Sequence, residues 1–333
     1  MSDIVVNRRV FLTFLASGIA VAPRAAWPQS PAAKTVKVGV LRNAPDGPVF
    51  RQNFGGFRRA LHEIGLVEGE GLAFEYRVRA GTAEEIAALA GELSRLPMSA
   101  IVAIGPASVR AAADATRAIP IVAVDLESDP IAEKFVSGLA RPGGNVTGLF
   151  LDFPELSGKW MELLRQMVPR LSRITVAWDP STPPNLLRGA EAAARTLRVD
   201  LASVEVPGPE ALVAAFRAAG GARGGAMVVL PSPAVNSARR EIVAMAAKHR
   251  VPTIMAFPEF AEEGGLIAYG PNVPAMFRQA GDVMAKVLRG TSPAEIPIER
   301  PARFELIVNR KTAASLALTV PRSLLARADK VIE

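Results

Sequence analysis

The chain has 333 residues, half of them hydrophobic, which is enough for two domains that each bury a core. The formal net charge is +7, but the basic residues are scattered along the chain, so we expect no nucleic-acid partner. There is no cysteine, and the two histidines, His62 and His249, stand beside charged residues in helical patterns. We therefore expect no disulfide, no metal site, no cofactor and no histidine-dependent catalysis.

Residues 1–33 have the pattern of an export signal rather than of a folded domain. Arg8 and Arg9 are followed by an apolar stretch to Ala22, which is too short to span a bilayer, and then by small residues. Twin-arginine signals share this pattern, although Asn7 stands where they usually have Ser or Thr, so the Sec route stays open. We predict cleavage within 25–33 and a soluble periplasmic product, without a lipid anchor because the chain has no cysteine.

From Lys34 onward, short β-branched or apolar runs alternate with amphipathic stretches. Gly65 and Thr82 stand at a predicted helix end and a predicted helix start. The first half predicts strands over 36–41, 73–78, 100–104 and 121–124, and helices over 50–65, from 83, and over 107–118.

The same alternation begins again after a turn-rich segment at 141–145. The second half predicts helices over 156–167, 190–197, 211–219 and 236–249, and strands over 174–178, 201–206, 226–230 and 253–257. Apolar strands joined by helices form parallel sheets covered on both faces. The sequence therefore predicts two similar Rossmann-like α/β lobes.

Polar residues follow the predicted strands at their carboxyl ends, where ligands bind in parallel α/β sheets. The candidate ligand-binding residues are Asn43, Asp46, Gly105, Ala107, Ser108, Asp125, Glu127, Asp129, Asp179, Asn185, Ser232, Phe257, Glu259 and Tyr269. The helix start near Ala107 suits a carboxylate, the acids suit an ammonium group, and the aromatic residues suit apolar walls. No serine has a partner base, so we expect a small-molecule binding protein, with amino acids or other small carboxylates as candidate ligands, and not an enzyme.

Several segments then resemble one known family, the ABC transporter substrate-binding proteins related to tryptophan- and phenylalanine-binding periplasmic proteins. The segments that carry the resemblance are 139–148, 159–165, 264–271, 311–313 and 320–329. They occur in the family's usual order and spacing, and the similarity runs from about residue 35 to the last residue.

The resemblance implies a type I periplasmic-binding-protein fold, in which three strands cross between the lobes. The crossings fall near 148–153, 268–272 and 301–306. Lobe 1 then comprises 34–150 and about 272–302, including a returning helix over 273–288, and lobe 2 comprises 151–271 and about 303–333. A monomer that serves a membrane permease is the implied assembly.

Two features leave the ligand and the role open. Family members with aromatic ligands have a Ser/Thr-rich turn where this chain has Pro106-Ala107-Ser108, and the turn at 43–46 does not match theirs either. A ligand-binding sensor of the same fold, feeding a membrane signalling system, is an alternative to transport. An exported α/β enzyme lacks the necessary residues, and a DNA-binding regulator of this fold would need a helix-turn-helix where the export signal stands.

Overall fold

A computed structural model describes residues 35–333, apart from 152, 181, 183, 221–223, 233–234 and 237, with the backbone alone at 153–155 and 209. The described residues belong to one compact unit that begins at Thr35. The predicted export signal lies outside them. Within the described part, no helix has the length and apolarity needed to cross a membrane.

The first half of the chain forms a six-stranded parallel sheet with the order β2-β3-β1-β4-β5-β6. The strands are β1 (Val36–Arg42), β2 (Val67–Glu68), β3 (Gly71–Val78), β4 (Ala100–Ile104), β5 (Ile121–Asp125) and β6 (Val146–Phe150). The helices between them are α1 (Pro48–Glu63), α2 (Ala83–Arg95) and α3 (Pro106–Ala115). All five residues of β5 and of β6 are buried, which explains why the sequence of these strands is so apolar.

The helix ends follow the local sequence signals. Thr82 accepts a hydrogen bond from Glu85 N and the Glu85 side chain accepts one from Thr82 N, which is a complete capping box. Gly65, at a positive φ of 83°, donates to His62 O just beyond the end of α1. Both predicted helix boundaries are confirmed.

The second half forms a seven-stranded sheet with the order β13-β12-β11-β10-β9-β7-β8. Its strands are β7 (Arg173–Trp178), β8 (Asp200–Glu205), β9 (Gly225–Val229), β10 (Thr253–Met255), β11 (Ile267–Pro271), β12 (Phe304–Asn309) and β13 (Lys330–Ile332). The helices of this half and beyond are α4 (Phe153–Met167), α5 (Pro184–Leu197), α6 (Pro209–Gly220), α7 (Arg239–His249), α8 (Pro258–Glu262), α9 (Val273–Leu288), α10 (Arg310–Ser315) and α11 (Arg322–Leu325), with a 3₁₀ turn at Pro293–Glu295. The fold is thus an α/β fold with two mostly parallel sheets, as predicted. The antiparallel pairing of β11 with β12 and the short edge strand β13 were not predicted.

Helix α9 follows a strand of the second sheet but packs on α1 of the first. A Cβ atom at Gly56 of α1 would lie 2.5 Å from Pro274 O, and one at Gly281 of α9 would lie 2.7 Å from Phe57 O. Glycine at these two positions lets the helices approach closely. Phe277 and Met284 of α9 complete the same core as the α1 aromatic residues.

Within the part of the chain that the structure describes, three segments connect the two sheets, and glycines lie on two of the strands involved. A Cβ atom at Gly148 of β6 would lie 2.2 Å from Ala123 O, and one at Gly270 of β11 would lie 2.0 Å from Ala256 O. The third passage begins at Glu299, which donates to Gly148 O at 2.9 Å and accepts from Phe150 N at 3.0 Å. Glu299 thus joins the first and third segments, and Asn272 N, which donates to Arg303 O at 2.9 Å, joins the second and third.

Candidate functional site

The loop after β5 carries a buried carboxylate whose two oxygens differ in their surroundings. Asp125 is fully buried, and its Oδ1 accepts from Glu127 N at 2.9 Å and from Ser128 N at 3.1 Å. Its Oδ2 is also buried and has no hydrogen-bond partner among the described residues. Burial raises the pKa of Asp125 above its ordinary value, against the opposing effect of these backbone donors and of a side-chain hydrogen bond from Ser128.

Leu126, which follows Asp125, shows that this loop lies between the two sheets. Leu126 packs against the core that holds Val124 of the first sheet and also against the core that holds Val176 of the second. Next along the chain, Glu127 is partly buried. Its pKa is raised to about 8, first by burial and then by the negative charges of Asp125 and Asp179. The loop after β5 therefore faces the end of β7.

Asp179 follows β7 and lies in a buried polar cluster of the second sheet. Its side chain is 5% exposed, and its backbone N–H donates to Thr182 Oγ1 at 3.3 Å. Ser232, fully buried after β9, donates its hydroxyl proton to Asp179 Oδ2 and accepts from Val235 N at 3.0 Å. Four predicted site residues, Asp125, Glu127, Asp179 and Ser232, are thus brought together from the two sheets. We refer to Asp125, Glu127 and Asp179 as the acidic cluster.

The predicted site residues at the ends of β1 and β4 form hydrogen bonds within the first half of the chain. Ser108 is fully buried, and its hydroxyl oxygen accepts from Asn43 N at 2.9 Å. The Asn43 side-chain oxygen in turn accepts from Gly81 N at 3.0 Å. These hydrogen bonds join the loops after β1 and β3 to the start of α3. Gly105, at a φ of 84°, precedes α3, which has no side-chain N-cap and an exposed Ala107 in its first turn. The Gly105 N–H donates to Val124 O at 2.9 Å and Pro106 has no N–H, so the donors that no side chain caps here are the backbone N–H groups of Ala107 and Ser108.

Two predicted acids have local partners on the surface. Asp46 pairs with Arg51, whose Nε donates to Asp46 Oδ2 at 3.0 Å, and this hydrogen bond lowers the pKa of the carboxyl. Asp129 is exposed, and its Oδ1 accepts from Ile131 N at 2.9 Å and from Ala132 N at 3.1 Å. The Asp46 carboxylate is thus paired with an arginine, and the Asp129 carboxylate stabilises a turn. Neither residue is part of the acidic cluster.

The remaining predicted residues lie around the second sheet. Phe257 packs against the same core as Leu126, and Glu259 is partly exposed in the first turn of α8. Asn185, at the start of α5, accepts from Leu186 N at 3.1 Å. Tyr269 stacks on Phe304 with ring centroids 6.0 Å apart, and the charges that act on its hydroxyl are those of Arg327 and Asp329, not those of the acidic cluster.

Sequence reasoning missed two residues near this region. Leu126, lodged between the two acids of its loop, contacts both cores, and its apolar character within a polar turn was the available signal. Trp178, the last residue of β7, has a buried indole Nε1 without a partner among the described residues. A tryptophan at the carboxyl end of a strand, next to a predicted site residue, was the signal for this position.

The comparison with family models gives the class of the protein. A model described as ABC transporter substrate binding protein matches residues 37–332. The chain therefore belongs to this family of substrate-binding proteins, whose members take a small ligand. The resemblance drawn from the sequence segments is confirmed.

Individual relatives agree with this assignment. A tyrosine-binding protein from Clostridioides difficile is 24% identical over 266 residues, which is 78% of this chain and 75% of the relative. A domain from Vibrio cholerae matches with a TM-score of 0.80 at 25% identity, over 90% of this chain and 100% of that one. A Streptococcus pneumonia domain in complex with L-Trp matches with a TM-score of 0.79 at 22% identity, over the same shares of the two chains. The two-lobe periplasmic-binding-protein fold is thereby confirmed.

Proposed function

We propose that this chain is the extracytoplasmic solute-binding component of an ABC importer, which closes its lobes on an amino acid and delivers it to a membrane permease. One observation carries the proposal: the loop after β5 in the first sheet and the end of β7 in the second bring buried carboxylates together. A ligand between these two segments contacts both lobes at once. Its binding energy therefore favours the closed arrangement.

The proposed lobes follow the two sheets. Lobe 1 comprises 34–150 and about 272–302, and lobe 2 comprises 151–271 and about 303–333. The return of α9 to α1 supports the first assignment, and the antiparallel pairing of β12 with β11 supports the second. We further propose that residues 1–33 direct export by a twin-arginine or Sec route, and that the mature protein is a periplasmic monomer without a lipid anchor.

The proposed ligand contacts divide by charge. The acidic cluster, Asp125, Glu127 and Asp179, accepts the ammonium group of the ligand. The uncapped start of α3 receives the carboxylate through the backbone N–H groups of Ala107 and Ser108. Phe257 supplies an apolar wall. The names of the tyrosine-binding relative and of the tryptophan complex support an amino acid as the ligand class.

Native mass spectrometry of the protein purified from its host, followed by thermal unfolding with a panel of amino acids and small carboxylates, tests this function. We expect a co-purified small molecule and a rise in Tm of several degrees with at least one amino acid. Protein that has been unfolded, dialysed and refolded is the ligand-stripped reference. If no amino acid raises the Tm of the refolded protein, and no amino acid is released from the native one, the amino-acid proposal is wrong.

A further inference from the structure

We infer that the amino edge of the second sheet docks on a membrane surface that contains anionic phospholipids. Four segments form this edge, 165–173, 195–200, 217–225 and 247–253, and each runs from the last turn of a helix to the first residue of a strand. They contain nine basic residues and one acid, Asp200. We refer to the basic residues of these segments that the structure describes as the basic face: Arg165, Arg170, Arg173, Arg195, Arg198, Arg217, Lys248 and Arg250.

The strand order brings the four segments together. Strands β10, β9, β7 and β8 are consecutive neighbours and all parallel, so they begin at the same edge, with about 5 Å between adjacent strands. Backbone hydrogen bonds link the segments, from Ser172 N to Gly224 O at 3.0 Å and from Asp200 N to Ser172 O at 3.1 Å. Residues that are scattered along the sequence therefore share one end of the second sheet.

The charge of the basic face is not neutralised by neighbouring acids. All eight side chains are exposed, and none belongs to an ion pair among the described residues. Residues 35–333 contain 35 basic and 31 acidic side chains, and outside the four segments the acids outnumber the bases. The excess of positive charge in this part of the chain therefore comes from the basic face.

Helix ends explain only half of these residues. The helix dipole favours a cation in the last turn, which accounts for one basic residue at the end of each of α4, α5, α6 and α7. Arg170 and Arg173 lie outside the helices. Arg198 and Arg250 have φ angles of 53° and 55°, at which glycine is the less strained residue. None of these four side chains makes a hydrogen bond or an ion pair within the described part of the chain.

A lipid surface fits this face better than a folded protein or a nucleic acid. Seven of the eight side chains are guanidinium groups, which bind phosphate through paired hydrogen bonds. The four segments contain no Phe, Tyr or Trp to stack on nucleic-acid bases. The face also lacks the apolar centre of a protein interface, because the large hydrophobic side chains that the structure exposes all lie in the first half of the chain.

Docking by the basic face leaves the ligand site free. Strand β7 begins at Arg173 on this face and ends at Trp178, which precedes Asp179 of the acidic cluster. At about 3.3 Å per residue, the strand separates the two regions by about 17 Å. The protein can therefore lie at a membrane with or without a ligand, so the inference goes beyond the proposed function and is tested separately from it.

Co-sedimentation with lipid vesicles tests the inference. The exported protein, purified from its host, is mixed with vesicles of phosphatidylcholine containing 30% phosphatidylglycerol, or of phosphatidylcholine alone, at 50 mM and at 300 mM NaCl. We expect binding to the anionic vesicles at 50 mM NaCl, at least tenfold weaker binding at 300 mM because salt screens the charges, and no binding to phosphatidylcholine alone. Equal binding to both kinds of vesicle, or binding to neither, overturns the inference.

Two variants with the same change in net charge separate the basic face from overall charge. The first combines the four arginines that helix ends do not explain: Arg170→Gln, Arg173→Gln, Arg198→Gln and Arg250→Gln. The control combines four exposed arginines that lie elsewhere and have no ion pair among the described residues: Arg95→Gln, Arg117→Gln, Arg141→Gln and Arg289→Gln. We expect the first variant to bind anionic vesicles at least tenfold more weakly than the control, with an unchanged Tm.

The remaining outcomes are equally decisive. All variants have the same N-terminus, so a difference between them reports on the substituted residues. If both variants lose the same share of vesicle binding, net charge rather than the basic face is responsible and the inference is wrong. If polyglutamate at the same concentration of negative charge binds the unaltered protein more tightly than the anionic vesicles do, the face is suited to an acidic protein, and the lipid inference is again wrong.

Discussion

Two polar regions of the first sheet differ in how their side chains are used. At the ends of β1 and β4, Ser108 and Asn43 accept from backbone N–H groups of neighbouring loops, so their side-chain oxygens serve the fold. At the end of β5, Asp125 uses one carboxylate oxygen in this way and leaves the other buried without a partner among the described residues. The same strand-end rule selected both regions from the sequence. Their hydrogen bonding then separates a structural region from a candidate ligand-binding one.

The difference has an energetic meaning. A buried neutral hydroxyl with a satisfied hydrogen bond stabilises the fold by about 1 kcal/mol, whereas a buried carboxylate without a counter-charge destabilises it. Asp125 and Glu127 share one loop, and burial raises the pKa of both, so ionising either carboxyl is unfavourable. Such an arrangement is costly for the unliganded protein. It is consistent with a site whose missing counter-charge arrives with a ligand.

The largest expected effect is on ligand affinity when the charge of Asp125 is removed. Asp125→Asn keeps an oxygen that accepts from Glu127 N and Ser128 N but places an amide nitrogen where Oδ2 lies. We expect the affinity for a cationic ligand to fall about 100-fold, which is close to 3 kcal/mol, because the ligand's ammonium group loses its buried partner. Titration calorimetry measures the loss, with whichever panel ligand binds the unaltered protein most tightly.

The same variant separates a binding role from a structural one. Because Asp125→Asn removes an unfavourable buried charge and keeps the loop hydrogen bonds, we expect the Tm of the unliganded protein to stay the same or rise. Asp114→Asn, which removes an exposed acid from α3, is the control and should change neither quantity. A variant that loses several degrees of Tm and keeps its affinity would show that Asp125 serves the fold.

The second effect is on stability in the other region. Ser108→Ala leaves the Asn43 N–H without its acceptor in a part-buried position, which costs about 1–2 kcal/mol of the free energy of unfolding. We expect a Tm lower by a few degrees and ligand affinity within about threefold of the unaltered protein. Thermal unfolding and calorimetry measure the two quantities.

The control for this variant is Ser323→Ala, which removes an exposed hydroxyl from α11 and should leave the Tm unchanged. A large loss of affinity in Ser108→Ala, without a loss of Tm, would move Ser108 into the binding site and erase the contrast between the two regions.

These two regions also show how much of the fold and of the candidate site could be predicted from the sequence alone. Strand runs, the Thr82 cap and the Gly65 helix end are local signals, and the structure has them where they were predicted. Strand ends were located by the same signals, so Asp125, Glu127, Asp179 and Ser232 were all on the list of candidates.

The sequence did not show which hydrogen-bond or packing partners each of these side chains has. Asp46 pairs with Arg51, five residues later in the first turn of α1, and Asp129 holds a turn that its sequence does not distinguish from a site. The contact of Leu126 with both cores depends on how the sheets are placed, which no local pattern encodes. The antiparallel pairing of β11 with β12 likewise follows from the third passage of the chain between the sheets.

A third effect is on the pH dependence of stability. The pKa of Glu127 is about 8 in the folded protein and near its ordinary value of 4.5 in the unfolded chain. Between these two values the folded state holds one proton more, so stability falls as the pH rises through this window. Because Glu127 is partly exposed and screened by water, we expect a loss of about 2 kcal/mol, which is less than the full shift implies.

Chemical denaturation of the ligand-stripped protein at pH 5 and at pH 8.5 measures this slope, and Glu127→Gln should flatten it. Asp46 and Glu63 have pKa values lowered by arginine partners, so their contributions change below the window and cancel in the comparison of the two proteins. A slope that is equal in both proteins would mean that Glu127 titrates near its ordinary pKa. Burial and the negative charges of Asp125 and Asp179 would then not act on Glu127 as described.

The smallest expected effect is at Asp46, a candidate by the same strand-end rule that already has a partner. Its carboxylate is exposed beside Arg51, and water screens an exposed ion pair, so Asp46→Asn should leave both the Tm and the ligand affinity within experimental error. Arg51→Gln, which removes the other member of the pair, is the matched control and should behave alike. A tenfold loss of affinity in Asp46→Asn but not in Arg51→Gln would show that the Asp46 carboxylate contacts the ligand. The first region would then contribute to binding as the second does, and the division between them would have to be redrawn.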